Sequence, residues 1–173
     1  EFHKESQMPI DYIHADINYM ERYKVYTVAE NYFDDAKQFI ADLKEDGIGM
    51  IPIIDPGVKV EEGFDLYDTL TKNHGWATKD GEDYINAVWP GDSKYPNYFD
   101  EKTADYLTDI TDNFIKEYGM AGIWCDMNEP ASFNGPLPED VEFLANQKVY
   151  YHDEVHNLYG EYMAKCIAKA FTD

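Results

Sequence analysis

The chain has 173 residues, which suggests one domain, and 44% of them are hydrophobic, enough for a sizeable core. Acidic residues outnumber basic ones 35 to 14, and the resulting formal charge of −21 excludes nucleic acid and anionic membrane surfaces as partners. No apolar run approaches the roughly 18 residues that a membrane span requires.

The two cysteines, Cys125 and Cys166, lie far apart and read as buried free thiols rather than as a disulfide. No signal-peptide pattern opens the chain, which together with free thiols slightly favours a cytoplasmic location. The first residue is Glu1 rather than Met, so the missing leader carries little weight. Aromatic residues make up 16%, with 15 tyrosines, a content that suits either a rigid core or a sugar-stacking cleft.

In chain order, residues 8–17 read as a strand entered through Pro9, with β-branched Ile10, Ile13 and Ile17 and with Asp16 near its exit. His14 and Asp16 point the same way on such a strand. They fit either metal ligands or a hydrogen-bonded inward pair. The second reading is preferred, because no Cys or His cluster elsewhere completes a metal site, and neither metal nor cofactor is expected. Residues 18–31 show no clean period and read as an ordered loop above the strand.

Residues 32–46 carry Phe33, Ala36, Phe39, Ile40 and Leu43 at helical spacing. Asp34 and Asp35 fall in the first turn of this helix, where they favour its dipole, and Gly47 is a natural stop. A second buried strand follows over residues 48–54 and ends in Asp55-Pro56-Gly57. Asp55 is either a functional acid at a strand exit or plain turn chemistry. Residues 57–96 are expected to be a long, mostly irregular loop of the kind that usually serves function. Within it, Trp89 flanked by Pro90-Gly91 is either a ring held over a cleft or a packing residue.

Residues 98–118 form a second predicted helix, with Ala104, Leu107, Ile110, Phe114 and Ile115 on its apolar face and Gly119 at its end. The apolar run from Met120 to Cys125 then reads as a third strand ending abruptly in Asp126, with a further acid at Glu129 before Pro130. A long loop over residues 127–148 and a helix over residues 153–171, with Tyr159, Met163, Ile167 and Ala170 on one side, close the chain.

Strands alternating with helices predict an α/β fold with a parallel sheet. Each strand exit carries an acid, Asp16, Asp55 and Asp126, and in an α/β barrel that rim is the catalytic face. Carboxylates accept hydrogen bonds from hydroxyl groups, and aromatic faces cover apolar C–H faces, so a cup of acids with aromatic walls suits a neutral polyol. By position, Asp126 is the candidate nucleophile of a retaining glycosidase, which needs a second carboxyl group about 5–5.5 Å away.

The stretch Gly122-Ile123-Trp124-Cys125-Asp126-Met127-Asn128-Glu129-Pro130 resembles the catalytic signature of glycoside hydrolase family 31. Four further segments match in order: Ala15-Asp16-Ile17-Asn18-Tyr19-Met20, Ile53-Ile54-Asp55-Pro56-Gly57, Val88-Trp89-Pro90-Gly91 and His156-Asn157-Leu158-Tyr159-Gly160. The resemblance implies that Asp126 is the nucleophile and Glu129 the signature's second acid. It also implies that Asp16 hydrogen-bonds the sugar at the cleaved end, with Ile17, Ile53, Trp89, Trp124 and Phe133 lining that pocket and Met127 among the substrate-binding residues. Met127-Asn128 after the nucleophile is similar to the α-glucosidases, whereas α-xylosidases more often carry Phe-Gly or Cys-Gly there. An exo-acting α-glucosidase acting on α-linked oligosaccharides or disaccharides is therefore expected, with an α-xylosidase or a non-catalytic sugar-binding barrel as alternatives.

Asn18 departs from the family, which usually has a second Asp at that position. The family's acid/base Asp, and its sugar-binding Arg and His, come later than anything in residues 1–173. The resemblance places the chain as roughly the second to fourth βα units of a TIM (β/α)8 barrel. The remaining strands and the family's N-terminal β-domain are expected to belong to the same enzyme chain, outside this segment.

Overall fold

The computed structural model describes residues 5–33 and 35–172. Its centre is a parallel three-stranded sheet of β1 (Tyr12–Ala15), β2 (Gly49–Ile54) and, at the far side of β2, the short strand Trp124–Cys125, which is β8 in chain order. Tyr12 pairs with Gly49 and Ala15 with Pro52, while Ile53 pairs with Trp124 and Ile54 with Cys125. On β2, Met50, Pro52 and Ile54 turn one way into the core, as a period of two requires.

Helix α1 (Ala36–Glu45) joins β1 to β2, and two longer stretches with structure of their own follow β2 and β8. The first stretch holds β3 (Val58–Lys59), α2 (Asp65–Lys72), β4 (Thr78–Lys79), β5 (Glu82–Asp83), β6 (Ile85–Val88) and β7 (Gly91–Lys94). Helix α3 (Glu101–Tyr118) follows and leads back to β8. The second stretch holds the hairpin β9 (Glu142–Ala145) and β10 (Lys148–Tyr151), and α4 (His152–Lys169) ends the fold. Helices α1 and α3 pack together behind the sheet, and α4 packs on α3. None of the helices is long and apolar enough to cross a membrane, among the described residues.

The helices begin and end where side chains satisfy the free backbone groups. Asp35 caps α1 by accepting the Gln38 N–H at 3.0 Å, so the helix starts later than the predicted residue 32. Asp34, expected beside it in the first turn, lies outside the described residues. Gly47, at φ 80°, ends α1 as expected, with the Ile48 N–H returning to the Leu43 carbonyl at 2.8 Å. Asp100 caps α3 by accepting the Thr103 N–H at 3.0 Å, and Gly119 ends it in the left-handed region. The inner stripe of α3 is Thr103, Leu107, Thr111 and Phe114. Thr111 turns its hydroxyl back onto the Leu107 carbonyl at 2.7 Å, and the Thr103 hydroxyl donates to the capping Asp100 carboxylate at 3.0 Å. On α4 the expected face holds, with Tyr159, Met163 and Ile167 all buried.

Two expected strands are shorter than the sequence suggested. The first covers Tyr12–Ala15 rather than residues 8–17, because the Asp16 carboxylate accepts the Ile17 N–H at 2.8 Å and turns the chain into a 3-10 turn at Ile17–Tyr19. The third, expected from Met120, forms a ladder only at Trp124–Cys125, although the Ala121 N–H still reaches the Met50 carbonyl at 2.8 Å.

Residues 57–96 and 127–148 are not the irregular loops expected. Their elements join across the chain: β9 pairs with β4, giving the sheet β10-β9-β4-β5, while β3, β7 and β6 form another. Lys79 and Asp140 add an ion pair between the same two stretches, and the Asn97 amide donates to the Leu144 carbonyl at 2.7 Å. The hairpin β6–β7 hid from the hydropathy pattern because its inner residues are polar, with Ser93 and Lys94 buried. The hairpin β9–β10 turns at Asn146-Gln147, both at positive φ, without the glycine that usually marks such a turn.

Helix α4 presses on the loop that follows β8. A Cβ added at Gly160 would sit 2.8 Å from the Asn128 carbonyl oxygen, a backbone atom that cannot step aside alone. Gly160→Ala gains up to about 1 kcal/mol of helix propensity but faces about 1–3 kcal/mol of overpacking. In the full-length protein this variant is expected to melt at a lower temperature than wild type. A higher melting temperature would show that helix and loop are not in tight contact.

Candidate functional site

The register of the central sheet sets the site. Extending the β1–β2 ladder puts Asp16 level with Ile53, and extending the β2–β8 ladder puts Asp126 level with Asp55. All three strand-exit acids of the sequence reading thus stand on one rim, with Glu129 shortly beyond.

The four carboxyl groups differ in surroundings. Asp126 is exposed and accepts the Met127 N–H at 2.9 Å on Oδ1. Met127 itself sits at φ 53°, a left-handed conformation uncommon for a non-glycine residue, so the chain turns sharply behind Asp126. Asp16 is exposed and is engaged by the Ile17 N–H, and Glu129 is exposed. Asp55 is only 6% exposed, and its Oδ1 has no hydrogen-bond partner. Burial, and after it the charges of Asp126, Asp16 and Glu129, push its carboxyl up to about 7. Three neighbouring acids thus act on the buried Asp55 carboxyl.

The aromatic wall is built by the two long connections. Trp89 occupies the tip of the hairpin β6–β7, and Phe133 lies in the connection after β8. Their rings meet edge to face, with centroids 5.0 Å apart, and remain 47% and 54% exposed. The Phe133 N–H donates to the Ala87 carbonyl at 2.8 Å, and the Asn134 amide donates to Asn86 Oδ1 at 2.9 Å, which fixes the pair. Below them the Tyr95 hydroxyl donates to the Ala131 carbonyl at 2.8 Å.

The remaining predicted pocket residues are distributed around this rim. Ile17 packs partly buried beside Asp16, and Met127 is half-buried beside Asp126. Ile53 lies under the acids, covered to 2% exposure, and its carbonyl accepts the Tyr19 hydroxyl at 2.8 Å. Trp124 is half-buried and meets His14 edge to face at 6.2 Å. His14 therefore directs its ring to Trp124 and does not form the expected pair with Asp16. Among the described residues, no group of three or more His, Cys, Asp or Glu is arranged to hold a metal ion. Cys125 and Cys166 are free thiols, as expected.

The sequence reading left Asp55 undecided between turn chemistry and function. The structure shows Asp55 buried at its strand exit, with Ile54 and Pro56 buried on both sides.

Residues 1–173 match the glycosyl hydrolases family 31 TIM-barrel domain. An alpha-glucosidase 2 of Bacillus thermoamyloliquefaciens is 37% identical over 95% of this chain and 21% of its own length. Neutral alpha-glucosidase AB of Mus musculus is 29% identical over 90% of this chain and 17% of its own. The crystal structure of a glucosidase II alpha subunit in an alpha3-Glc2-bound form superposes with a TM-score of 0.90 at 29% identity, covering 99% of this chain and 19% of that one. The chain thus spans about a fifth of the length of the relatives it matches.

The raised Asp55 carboxyl makes stability depend on pH with a defined sign. Its ordinary value is 3.8 and its folded value about 7, so its contribution is fully present below about pH 4 and is lost as pH rises through about 7. Asn has the same shape and does not titrate. In the full-length protein, Asp55→Asn is expected to gain stability relative to wild type between pH 4 and about 8, read as a growing difference in melting temperature. A difference that stays flat over that range would show that Asp55 is not held as the neutral acid.

Proposed function

The chain belongs to glycosyl hydrolase family 31, and from that premise we propose that it supplies the nucleophile and part of the sugar pocket of a retaining, exo-acting α-glucosidase. The observation that carries this reading is the placement of Asp126. Its carboxylate is exposed at the exit of β8, on the rim that holds three further acids and a fixed aromatic pair.

The residues divide the work by chemistry. Asp126 Oδ1 is held by the Met127 N–H, which orients the carboxylate and leaves its other oxygen for attack on the anomeric carbon. Attack forms a glycosyl-enzyme, and water later displaces the enzyme from it, so two inversions return the original configuration. Asp16 accepts hydrogen bonds from hydroxyl groups of the sugar at the cleaved end. Trp89 and Phe133 cover its C–H faces, with Ile17, Ile53, Trp124 and Met127 closing the pocket. Glu129, two residues after Met127, adds negative charge beside the developing positive charge of the sugar ring. The acid that protonates the departing oxygen comes from elsewhere in the enzyme.

The same reading makes the remainder of the enzyme the partner of this chain. The outer edges of β1 and β8 have no strand beside them among the described residues, and unpaired strand edges seek partners. The sheet face carrying His14, Ile51 and Trp124 is an open, mainly apolar depression, as the interior of an unclosed barrel would be.

Replacing the nucleophile in the full-length enzyme tests its role. Asp126→Ala is expected to lower kcat by several orders of magnitude with the fold intact. If the variant keeps more than about a tenth of wild-type kcat, the assignment is wrong. Proton NMR of the product at early times tests the stereochemistry separately. The α-anomer is expected first; initial β-anomer would make Asp126 a general base acting through water.

A further inference from the structure

We propose that Asn86 is a positioning residue for sugar binding: its side chain locks the hairpin that carries Trp89 to the connection that carries Phe133, and the locked pair of rings sets the affinity for the sugar at the cleaved end. The inference rests on the reading of Trp89 and Phe133 as walls of the sugar pocket, and it assigns a role to a residue that acts through those rings.

Two tips meet at this wall. Val88 pairs with Gly91, so Trp89 and Pro90 make the whole turn of the hairpin β6–β7. The hairpin rests on the exit of β2, because a Val88 methyl group fills the space that a Cβ would need at Gly57. The other tip is closed by the Ser132 hydroxyl, which donates to the Gly135 carbonyl at 2.6 Å across Phe133 and Asn134. The rings attract each other by only about 0.5–1.5 kcal/mol, and both are half-exposed, so their contact alone does not hold two tips in place. The Tyr95–Ala131 and Phe133–Ala87 hydrogen bonds fix two points of the second tip. Two points still leave rotation about the line that joins them. The third, the Asn134 amide on Asn86, removes that rotation and sets the angle between the rings.

The side chain of Asn86 is saturated by these contacts. Its Oδ1 accepts the Ala87 N–H at 2.8 Å and the Asn134 amide at 2.9 Å, which uses both lone pairs. Its Nδ2 donates to the Tyr84 hydroxyl at 2.7 Å. A backbone N–H claims the oxygen, so the amide cannot flip, and the direction of the Asn134 bond is settled. Tyr84 is buried, and its ring lies 5.9 Å from that of Tyr95, whose hydroxyl holds the Ala131 carbonyl. Asn86 thus joins the anchors of both tips into one network. Pairing with Ser93 in the hairpin uses backbone groups alone and would require no amide at this position.

The test uses the full-length enzyme, an aryl α-glucoside as substrate and D-glucose as competing product, with circular dichroism to confirm folding. Asn134→Ala removes an exposed side chain and leaves the hairpin its own bonds. It is expected to lower kcat/KM roughly 2- to 10-fold, the worth of one neutral hydrogen bond. The loss should appear as a rise in KM and in the inhibition constant of glucose together, with kcat little changed. Asn86→Ala is expected to lose at least as much, and the double variant no more than Asn86→Ala, since both changes remove one contact. Asn86→Asp keeps the acceptor and lets the Tyr84 hydroxyl donate in turn, so it is expected to stay close to wild type. In a Phe133→Ala background, Asn134→Ala is expected to have no further effect, which a role in general stability would not predict. Additive losses in the double variant, a loss carried by kcat alone, or an undiminished loss without Phe133 overturns the proposal. If Asn86→Ala does not fold, Asn134→Ala in the two backgrounds decides alone. Wild-type kinetics in Phe133→Ala overturns the reading of the wall and the proposal with it. An impaired Phe133→Ala with unaltered Asn134→Ala overturns only the positioning role.

Discussion

The parallel ladder between Gly49–Ile54 and a strand on either side is the constraint on which the site depends. A one-residue slip of β8 against β2 would turn Asp126 to the opposite face and break its alignment with Asp55. What holds the register is burial behind the sheet. Met50, Pro52 and Ile54 enter the core with Ile40, Leu107 and Phe114, and a slip would exchange them for the half-exposed Ile51 and for Ile53. Burying a side chain of this size is worth about 1.5–3 kcal/mol, so the core outweighs any single hydrogen bond on the rim.

The two long connections add a second layer above the strand exits, and they hold each other. Pairing of β4 with β9, the Lys79–Asp140 ion pair and the Phe133–Ala87 hydrogen bond all run between stretches far apart in sequence. Beneath Trp89 the hairpin is anchored by a buried charge. Lys94 is 6% exposed, donates to Asp83 at 2.8 Å and lies 4.8 Å from the Tyr67 ring. Burial pulls the ammonium down, but Asp83 and Tyr67 outweigh it, and Lys94 stays charged with its value raised. A buried cation fixed by a carboxylate and aromatic faces is a poor source of stability but a specific one, since breaking the pair strands a charge. It ties the position of the aromatic wall to one arrangement of the hairpin.

This explains which parts of the molecule were legible in the sequence. Elements that face the core through apolar side chains announced themselves: β2, the inner face of α4 with Tyr159 and Met163, and the acids that end each strand. Glycine stops at Gly47 and Gly119 were equally plain, because the backbone there needs positive φ. The hairpin β6–β7 was not legible, since Ser93 and Lys94 are buried by partners contributed from distant residues. The same holds for β4, a two-residue strand completed by its partners β5 and β9. Asp55 was visible as a residue but not as a buried one, because burial at a strand exit is created by the loops that cover it.

The concentration of acid on this rim is tolerable only because the carboxyl groups do not share one dielectric. Asp16, Asp126 and Glu129 are exposed, and in water two charges about 5 Å apart repel by less than about 1 kcal/mol. At the effective dielectric of a partly buried site the same pair repels by about 3 kcal/mol. Asp55 is already in that second environment and escapes the penalty by carrying a proton near neutral pH. On the proposed reading, a sugar that settles against Trp89 and Phe133 expels water and moves the remaining acids toward the same environment. They keep their charge only if the incoming molecule replaces the lost water with donors. Sugar hydroxyl groups do so and bring no charge of their own, whereas an anionic substrate would meet the full repulsion. On that reading the rim favours a neutral polyol over an anion, because only the former supplies donors without adding charge.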